Sequence, residues 1–327
     1  MTGVQTCALP ICGDMAFELK AKERVSEGIT RNVRSQIEKA LGYLDGGKKL
    51  GTKKKPHPEG APGKEAVPEV RKCFKKVRAA LRLVREDLGD DLYHEENFCF
   101  RDAARPLTHV RDAEVLVETA DKLTQQFPGA IEPGAFAKIQ EALLGNRQEV
   151  TRRVLDEDKA FDAVKDFATH ALARLPDWKI ERDGWTAVES GLRGVYRAGH
   201  RALASAAENS TVENLHEWRK QAKYLWHQLQ LLDAAWTDSE KELVDRTHKL
   251  STLLGEDHDL AVLRETLAAD PLAYGGHRVL KGVFAVIDRQ RKELEQQAFA
   301  LGREIYKDAP KVFTSRIEAL MNYEEVT

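Results

Sequence analysis

The sequence predicts an all-α protein, and three observations support this. Alternation of apolar and polar residues with period two is scarce, whereas apolar residues at i, i+3, i+4 and i+7 recur almost from end to end of the 327 residues. Short breaks that contain Gly, Pro or Asp separate these periodic segments. The charged fraction is 32% and the aromatic fraction 7%, as expected for a globular chain long enough for one large or two ordinary domains.

Eight helical segments are expected in order along the chain. Their limits are 18–45, 66–88, 91–124, 132–177, 183–207, 212–234, 238–268 and 277–323, and some are expected to be broken inside these limits. Residues 46–64, GGKKLGTKKKPHPEGAPGK, contain six lysines and no apolar period, so we interpret them as a connecting loop with solvated lysines. Eight helices predict two bundles of four.

An internal repeat relates the two halves of the sequence. Arg71, Lys72 and Lys75 align with Arg219, Lys220 and Lys223, and VRDAEVL at 110–116 aligns with DHDLAVL at 257–263 at nearly the same offset. Upstream, EGITRNVR at 27–34 pairs with SGLRGVYR at 190–197 at a larger offset, which the lysine-rich loop accounts for. The sequence therefore predicts two copies of one four-helix unit, the first with an insertion.

The segment 66–88 separates an apolar face from a cationic row. The apolar face contains Val70, Cys73, Phe74, Val77, Ala80, Leu81 and Val84, and the row contains Arg71, Lys75, Arg78, Arg82 and Arg85. Like charges three and four residues apart destabilise an isolated helix by about 0.2–0.5 kcal/mol per pair, and only Glu69 opposes this row. Cations at roughly 5–6 Å intervals along a helix suit a long anion that carries charge regularly.

The segment 212–234 repeats this arrangement. Leu215, Trp218, Ala222, Leu225, Leu229 and Leu232 form the apolar seam, and His216, Arg219, Lys220, Lys223 and His227 form a separate polar stripe. Secondary cationic candidates are Arg34, Arg101, Arg105, Arg193, Arg197 and Arg201, with His109 one turn beyond Arg105. Arginine suits phosphate oxygens because its planar fork donates two parallel hydrogen bonds, and lysine adds a point charge.

The motifs on these helices resemble those of the CHAD family, the conserved histidine α-helical domains. The likeness rests on His216, Arg219, Lys220 and Lys223 followed by YLW, on FRDAARPLTHVRDAEVL in the first half and on LLGEDHDLAVL in the second, and it covers residues 18–323. The resemblance implies two four-helix bundles related by a pseudo-twofold axis, whose basic helix faces line a shared surface or pore that binds inorganic polyphosphate without turnover. It also implies a link to polyphosphate granules.

Carried over by position, the resemblance implies one set of anion contacts in each half. Arg71, Lys72, Lys75 and Arg78 belong to the first half, with Arg82 one turn further on, and His216, Arg219, Lys220 and Lys223 belong to the second. The chain departs from the family pattern at Pro68, which replaces the first-half histidine, and at Trp226, which occupies the position equivalent to Arg78. Asp112 and Asp259, paired across the repeat, are interpreted as structural partners of basic side chains.

Two other functions remain open from the sequence. A metal-dependent phosphohydrolase could use His258-Asp259, although this dipeptide is a weak signal and the sequence contains no P-loop, GxSxG or HExxH motif. A nucleic-acid-binding protein could use the same cationic rows, with Tyr224 and Trp226 as the candidates for exposed aromatic side chains. We favour polyphosphate binding and expect no catalysis, no metal and no cofactor; the oligomeric state is left open.

The remaining expectations concern organisation and location. Residues 1–14 are expected to be a non-native leader, because MTGVQTCALPIC matches the translation of a sequencing adapter. Residues 15–180 and 181–327 are expected to form the first and second bundles of one CHAD domain. Without CxxC spacing, Cys73 and Cys99 are expected to be reduced structural thiols. No window of about twenty apolar residues and no secretory signal occurs, so we expect a cytoplasmic protein without membrane contact.

Overall fold

The computed structural model describes residues 17–20, 23–46, 63–127, 129, 133–232 and 238–321. Within these ranges the chain forms twelve α-helices and no β-strand, as the fold class predicted. The helices are α1 (Val25–Leu44), α2 (Ala66–Leu83), α3 (Arg85–Leu88), α4 (Asp90–Ala103), α5 (Pro106–Gln126), α6 (Pro133–Thr151), α7 (Ala160–Arg174), α8 (Gly184–Glu208), α9 (Val212–Leu231), α10 (Asp238–Ala269), α11 (His277–Ile305) and α12 (Pro310–Met321). The predictions for residues 1–14 and for most of the lysine-rich loop lie outside the described residues.

Four of the predicted helices are divided by breaks, and the first of these, 66–88, is divided at Val84 into α2 and α3. The expected segment 91–124 is α4 and α5, and 277–323 is α11 and α12; in both cases the second helix begins at a proline. Proline has no N–H and disfavours helical backbone in the residue before it, so it starts a helix more readily than it continues one. The expected segment 132–177 contains α6, a π-helical turn at Arg152–Glu157 and α7, with Lys159 in the left-handed region at φ 52°.

The predicted apolar faces of α2 and α9 both lie in the core. Phe74 and Leu81 on α2 and Trp218 and Leu225 on α9 are at most 1% exposed. Burial of such side chains contributes about 1.5–3 kcal/mol each before the loss of conformational entropy is counted. This burial fixes the rotation of both helices and sets their cationic side chains on another side; His227, predicted in the polar stripe of α9, is instead buried against Phe17.

The same neighbour relations occur in both halves. In the first half α1 packs on α2 and α7, and α5 packs on α6; in the second half α8 packs on α9 and α12, and α10 packs on α11. The halves contact each other where α2 packs on α8 and α9 and where α5 packs on α10. The division into two related bundles stays a prediction, but these contacts place α2, α5, α9 and α10 side by side. We call this arrangement the four-helix junction.

Candidate functional site

Four cations from the two predicted rows come together at the four-helix junction. We define Arg71 and Lys75 on α2 with Arg219 and Lys223 on α9 as the central cluster. Burial lowers the pKa of Lys75 well below its usual value, and the nearby charges of Lys223, Arg71 and Arg219 lower it further. The rows of the two halves therefore meet in one site.

The central cluster holds its charges in a partly desolvated position. Burial lowers the pKa of Lys223 to about 8, with the charge of Arg219 as the next cause. Burial also lowers the pKa values of Arg71 and Arg219. Removing charges from water and placing like charges together both raise the free energy of the free protein. An anion that entered the cluster would relieve both effects.

Arg71 of the central cluster is held by neutral groups rather than by carboxylates. Arg71 donates from Nη1 to the carbonyl oxygen of Ala104 at 3.0 Å and to Oγ1 of Thr108 at 2.6 Å. Arg219 has a buried Nε without a hydrogen-bond partner among the described residues. Across the part of the chain that the structure describes, none of the four cations forms an ion pair within 4.0 Å. Their positive charge is therefore not cancelled locally.

Asp112 on α5 and Asp259 on α10 are acidic side chains whose charges act on the central cluster. Burial raises the pKa of Asp259, and the charge of Arg219 opposes this effect; the pKa of Asp112 is raised in the same way and opposed by Arg71. Neither carboxylate lies within ion-pair distance of a cation in the described ranges. Their interpretation as structural partners of basic side chains therefore stays a prediction, and most of the positive charge is left uncancelled.

A histidine pair borders the cluster. The rings of His216 on α9 and His258 on α10 lie 4.5 Å apart between centroids, and the Nδ1 atom of each is buried without a hydrogen-bond partner among the described residues. Burial lowers the pKa of His258 to about 4, and burial followed by the charge of Arg219 lowers the pKa of His216. The sequence assigned His258 only to the alternative hydrolase. Its position opposite Arg111 in the aligned repeat was the available signal for a place in the basic site.

Arg78 and Arg82, the next two members of the α2 row, turn towards α4. Arg78 donates from Nε to Oδ1 of Asn97 at 3.1 Å, and Arg82 donates from Nη1 to the same oxygen at 2.8 Å. The Arg82 guanidinium lies 3.9 Å above the ring centroid of Tyr224 on α9. We call Arg78 and Arg82 the twin arginines. The last member of the row, Arg85, instead forms an ion pair with Asp90 at 2.8 Å.

The other predicted contacts lie on more exposed surface. Lys72 lies 3.9 Å from Glu69, and Lys220 pairs with Glu217 on its own helix. Among the secondary candidates, three have acidic partners: Arg101 and Arg105 with Asp102, and Arg193 with Glu189. The remaining three, Arg34, Arg197 and Arg201, are exposed on α1 and α8. The structure thus groups the central cluster and the twin arginines and leaves the other candidates outside them.

Both aromatic candidates already contact other side chains through their rings. Tyr224 is buried, so its predicted exposure is wrong, and Arg82 covers its ring. Trp226 is half-buried and stacks on His227 at 4.4 Å and on His248 at 4.1 Å between ring centroids. Bases stack on exposed ring faces, so these contacts compete with stacking of a nucleic-acid base.

Comparison with known proteins identifies the family. A sequence profile of the CHAD domain matches residues 56–268, more than half of the chain. The chain belongs to the CHAD family. The crystal structure of the CHAD domain from the plant Ricinus communis is similar, with a TM-score of 0.54 and 15% identity over 90% of this chain and 96% of that one. At this identity the likeness supports the all-α CHAD fold. No curated protein sequence matches the chain.

Pro68 marks where this CHAD chain departs from the histidine pattern expected by resemblance. It is the third residue of α2, in the first turn, where a backbone N–H has no partner within the helix. Proline is therefore tolerated there without loss of a helical hydrogen bond. The histidine pair at the junction, His216 and His258, comes from the second half of the chain.

The metal-dependent phosphohydrolase alternative would need a group of metal ligands. Within the described ranges, no three His, Cys, Asp or Glu side chains are grouped so that they could hold a metal ion. The phosphohydrolase alternative lacks a ligand set around His258 and Asp259 in this part of the chain, and it stays a prediction.

None of the helices that the structure describes is long and apolar enough to span a bilayer.

Proposed function

We propose that this CHAD protein binds inorganic polyphosphate through the central cluster and the twin arginines, without catalysing its turnover. The observation that carries the proposal is the central cluster: four cations from the two halves, desolvated together and free of ion pairs among the described residues. Such a cluster favours an anion that brings several charges at once, because one small anion would leave most of the cations unneutralised.

The length of the cationic surface favours a chain of phosphates over a single phosphate. Arg71 and Arg82 are eleven residues apart on α2, which corresponds to about 16 Å along the helix axis at 1.5 Å per residue. Arg219 and Lys223 face the first part of this path from α9. Polyphosphate carries a charge on every unit, so one molecule can contact both the central cluster and the twin arginines.

The proposal predicts binding that depends strongly on chain length and salt. Six cations, four in the central cluster and two in the twin arginines, are available, and release of counterions from a flexible polyanion gives a log–log salt slope of about −0.7 per contact, hence about −4. Calorimetric titration with long-chain polyphosphate, tripolyphosphate and orthophosphate at several salt concentrations measures this slope. Equal affinity for the three probes at matched phosphate concentration would overturn the proposal.

Binding is also predicted to weaken at alkaline pH. Lys223 has a pKa of about 8 in the free protein, and a bound polyanion raises this pKa because it stabilises the charged form. At pH values well below 8 the side chain is charged in both states, so it adds no pH dependence. As the pH rises through 8 the free protein loses this charge first, and affinity falls until the pKa of the bound state is passed. We expect a several-fold loss between pH 7.5 and about 9.5.

The variant Lys223→Arg provides the matched control for this pH profile, because arginine stays charged throughout the range. It should bind polyphosphate at pH 7.5 and lose less affinity than the wild type at alkaline pH. Identical profiles for the wild type and the variant would contradict a role of Lys223 in the site.

Polyphosphate is favoured over nucleic acid because the rings of Tyr224 and Trp226 are already in contact with Arg82 or with histidine rings. Competition with single-stranded DNA or RNA at equal phosphate concentration separates the two ligands, and polyphosphate is expected to bind more tightly.

Release of orthophosphate from polyphosphate in the presence of Mg²⁺ or Mn²⁺, lost in His258→Ala, would instead support the hydrolase. We further propose a cytoplasmic location at polyphosphate granules, which a fluorescent fusion can test.

A further inference from the structure

The two arginines at the α4 end of the cationic row share one buried neutral acceptor. Asn97 is 5% exposed, and its Oδ1 accepts hydrogen bonds from both Arg78 and Arg82. Only the amide oxygen can accept from guanidinium donors, so the two bonds also fix which way the amide points. The Arg82 Nη1 atom additionally donates to the backbone oxygen of Arg78 at 3.0 Å. One side chain of α4 therefore restrains two cations of α2.

Elsewhere on α4, carboxylates rather than an amide hold the arginine side chains. Asp90 at the start of α4 pairs with Arg85, and Glu96, the residue next to Asn97, pairs with Arg174 at 2.7 Å. Asparagine has nearly the shape of aspartate but no charge, so it can hold two guanidinium groups without neutralising them. Each guanidinium also keeps N–H donors that Asn97 does not use, because each contributes a single donor to this oxygen.

We infer that Asn97 is a positioning residue that holds the twin arginines as a preorganised phosphate subsite and, by being neutral, preserves the positive charge of that subsite. Tyr224 completes the arrangement, because the Arg82 guanidinium lies 3.9 Å above its ring centroid and is thereby restrained from a second direction. Restraining a flexible cation before the ligand arrives reduces the entropy lost on binding. This inference rests on the proposed polyphosphate function and adds a residue that does not itself need to touch the ligand.

The substitution Asn97→Asp separates a positioning role from a structural one. A carboxylate at this position would form two charge-assisted hydrogen bonds, so the thermal midpoint should stay equal or rise. The affinity for long-chain polyphosphate should nevertheless fall on the order of tenfold, because the new charge opposes the ligand and neutralises the arginines. A purely structural role predicts that aspartate is as good as asparagine in both measurements. Unchanged affinity in a stable Asn97→Asp protein would therefore overturn the inference.

Three further variants complete the experiment. Gln296→Glu adds the same charge on the exposed face of α11 and should change affinity little. Asn97→Ala removes the acceptor without adding charge and should weaken binding less than Asn97→Asp does. Adding Asn97→Asp to Arg78→Gln/Arg82→Gln should cause little further loss, because its targets are gone; an undiminished loss in that background would overturn the inference. Absence of binding by the wild type would overturn the proposed function and this inference together.

Discussion

Replacing Arg71 and Lys75 together by alanine is expected to weaken long-chain polyphosphate binding by about two orders of magnitude. A hydrogen bond to a charged group contributes about 1.5–3 kcal/mol, so loss of two such contacts costs about 3 kcal/mol or more, and each 1.4 kcal/mol is a factor of ten. Both residues lie in the central cluster and neither forms an ion pair among the described residues, so removing them leaves no carboxylate unpaired. Titration of both proteins at one salt concentration measures the loss.

The second half should contribute to the same site. The double variant Arg219→Ala/Lys223→Ala is expected to lose a similar factor in affinity for long-chain polyphosphate. With all four substitutions together, the fold-loss in affinity should be smaller than the product of the two separate fold-losses. Residues that contact one ligand segment at close range are coupled, whereas independent sites give additive free energies. Strict additivity, or loss in only one pair, would contradict a site shared between α2 and α9.

The control for this result removes two arginines outside the site. Arg246 on α10 pairs with Glu242 and Glu304, and Arg264 pairs with Asp288. Arg246→Ala/Arg264→Ala changes the net charge by the same amount as each test pair. An equal loss of affinity in this control would show that overall charge, rather than the central cluster, controls binding.

The sequence predicted the helices, their buried faces and the basic residues of the site better than it predicted which helices pack together. Apolar periodicity placed Phe74 and Trp218 in the core, because the rotation of a helix is fixed by the face that it buries. The breaks before Pro106 and Pro310 carried a local signal, since proline starts helices and rarely continues them. The left-handed backbone of Lys159 had no such signal, because non-glycine residues adopt it only under tertiary constraint.

The site shows the same division between local and long-range information. The aligned repeat identified Arg71 and Arg219 as equivalent, but periodicity within a helix does not state which helices of the two halves touch. The α2 row also appeared uniform in the sequence, whereas the structure divides it between the junction, Asn97 and Asp90. That division depends on where α4 packs against α2, which is decided by contacts distant in sequence.

A glycine where α8 packs closely on α2 gives the largest expected effect on stability. A Cβ added at Gly191 on α8 would lie 2.0 Å from the carbonyl oxygen of Leu83 and 2.5 Å from that of Arg82. Both obstacles are backbone atoms at the end of α2, so no side-chain rotation can relieve the overlap. We expect Gly191→Ala to destabilise the protein by about 3 kcal/mol, the upper part of the range for overpacking. The midpoints of urea and thermal unfolding measure this change.

Gly194 on the same helix provides a matched control. It is exposed, and a Cβ there would meet no atom within 4 Å. Alanine is favoured over glycine inside a helix by about 0.5–1 kcal/mol, so Gly194→Ala should stabilise the protein where Gly191→Ala destabilises it. Because Gly191 abuts the turn of α2 that carries Arg82, its substitution should also weaken polyphosphate binding, whereas Gly194→Ala should leave binding unchanged. If Gly191→Ala proved as stable as the wild type, α2 and α8 would not pack this closely in solution, and the position of the twin arginines relative to the central cluster would have to be revised.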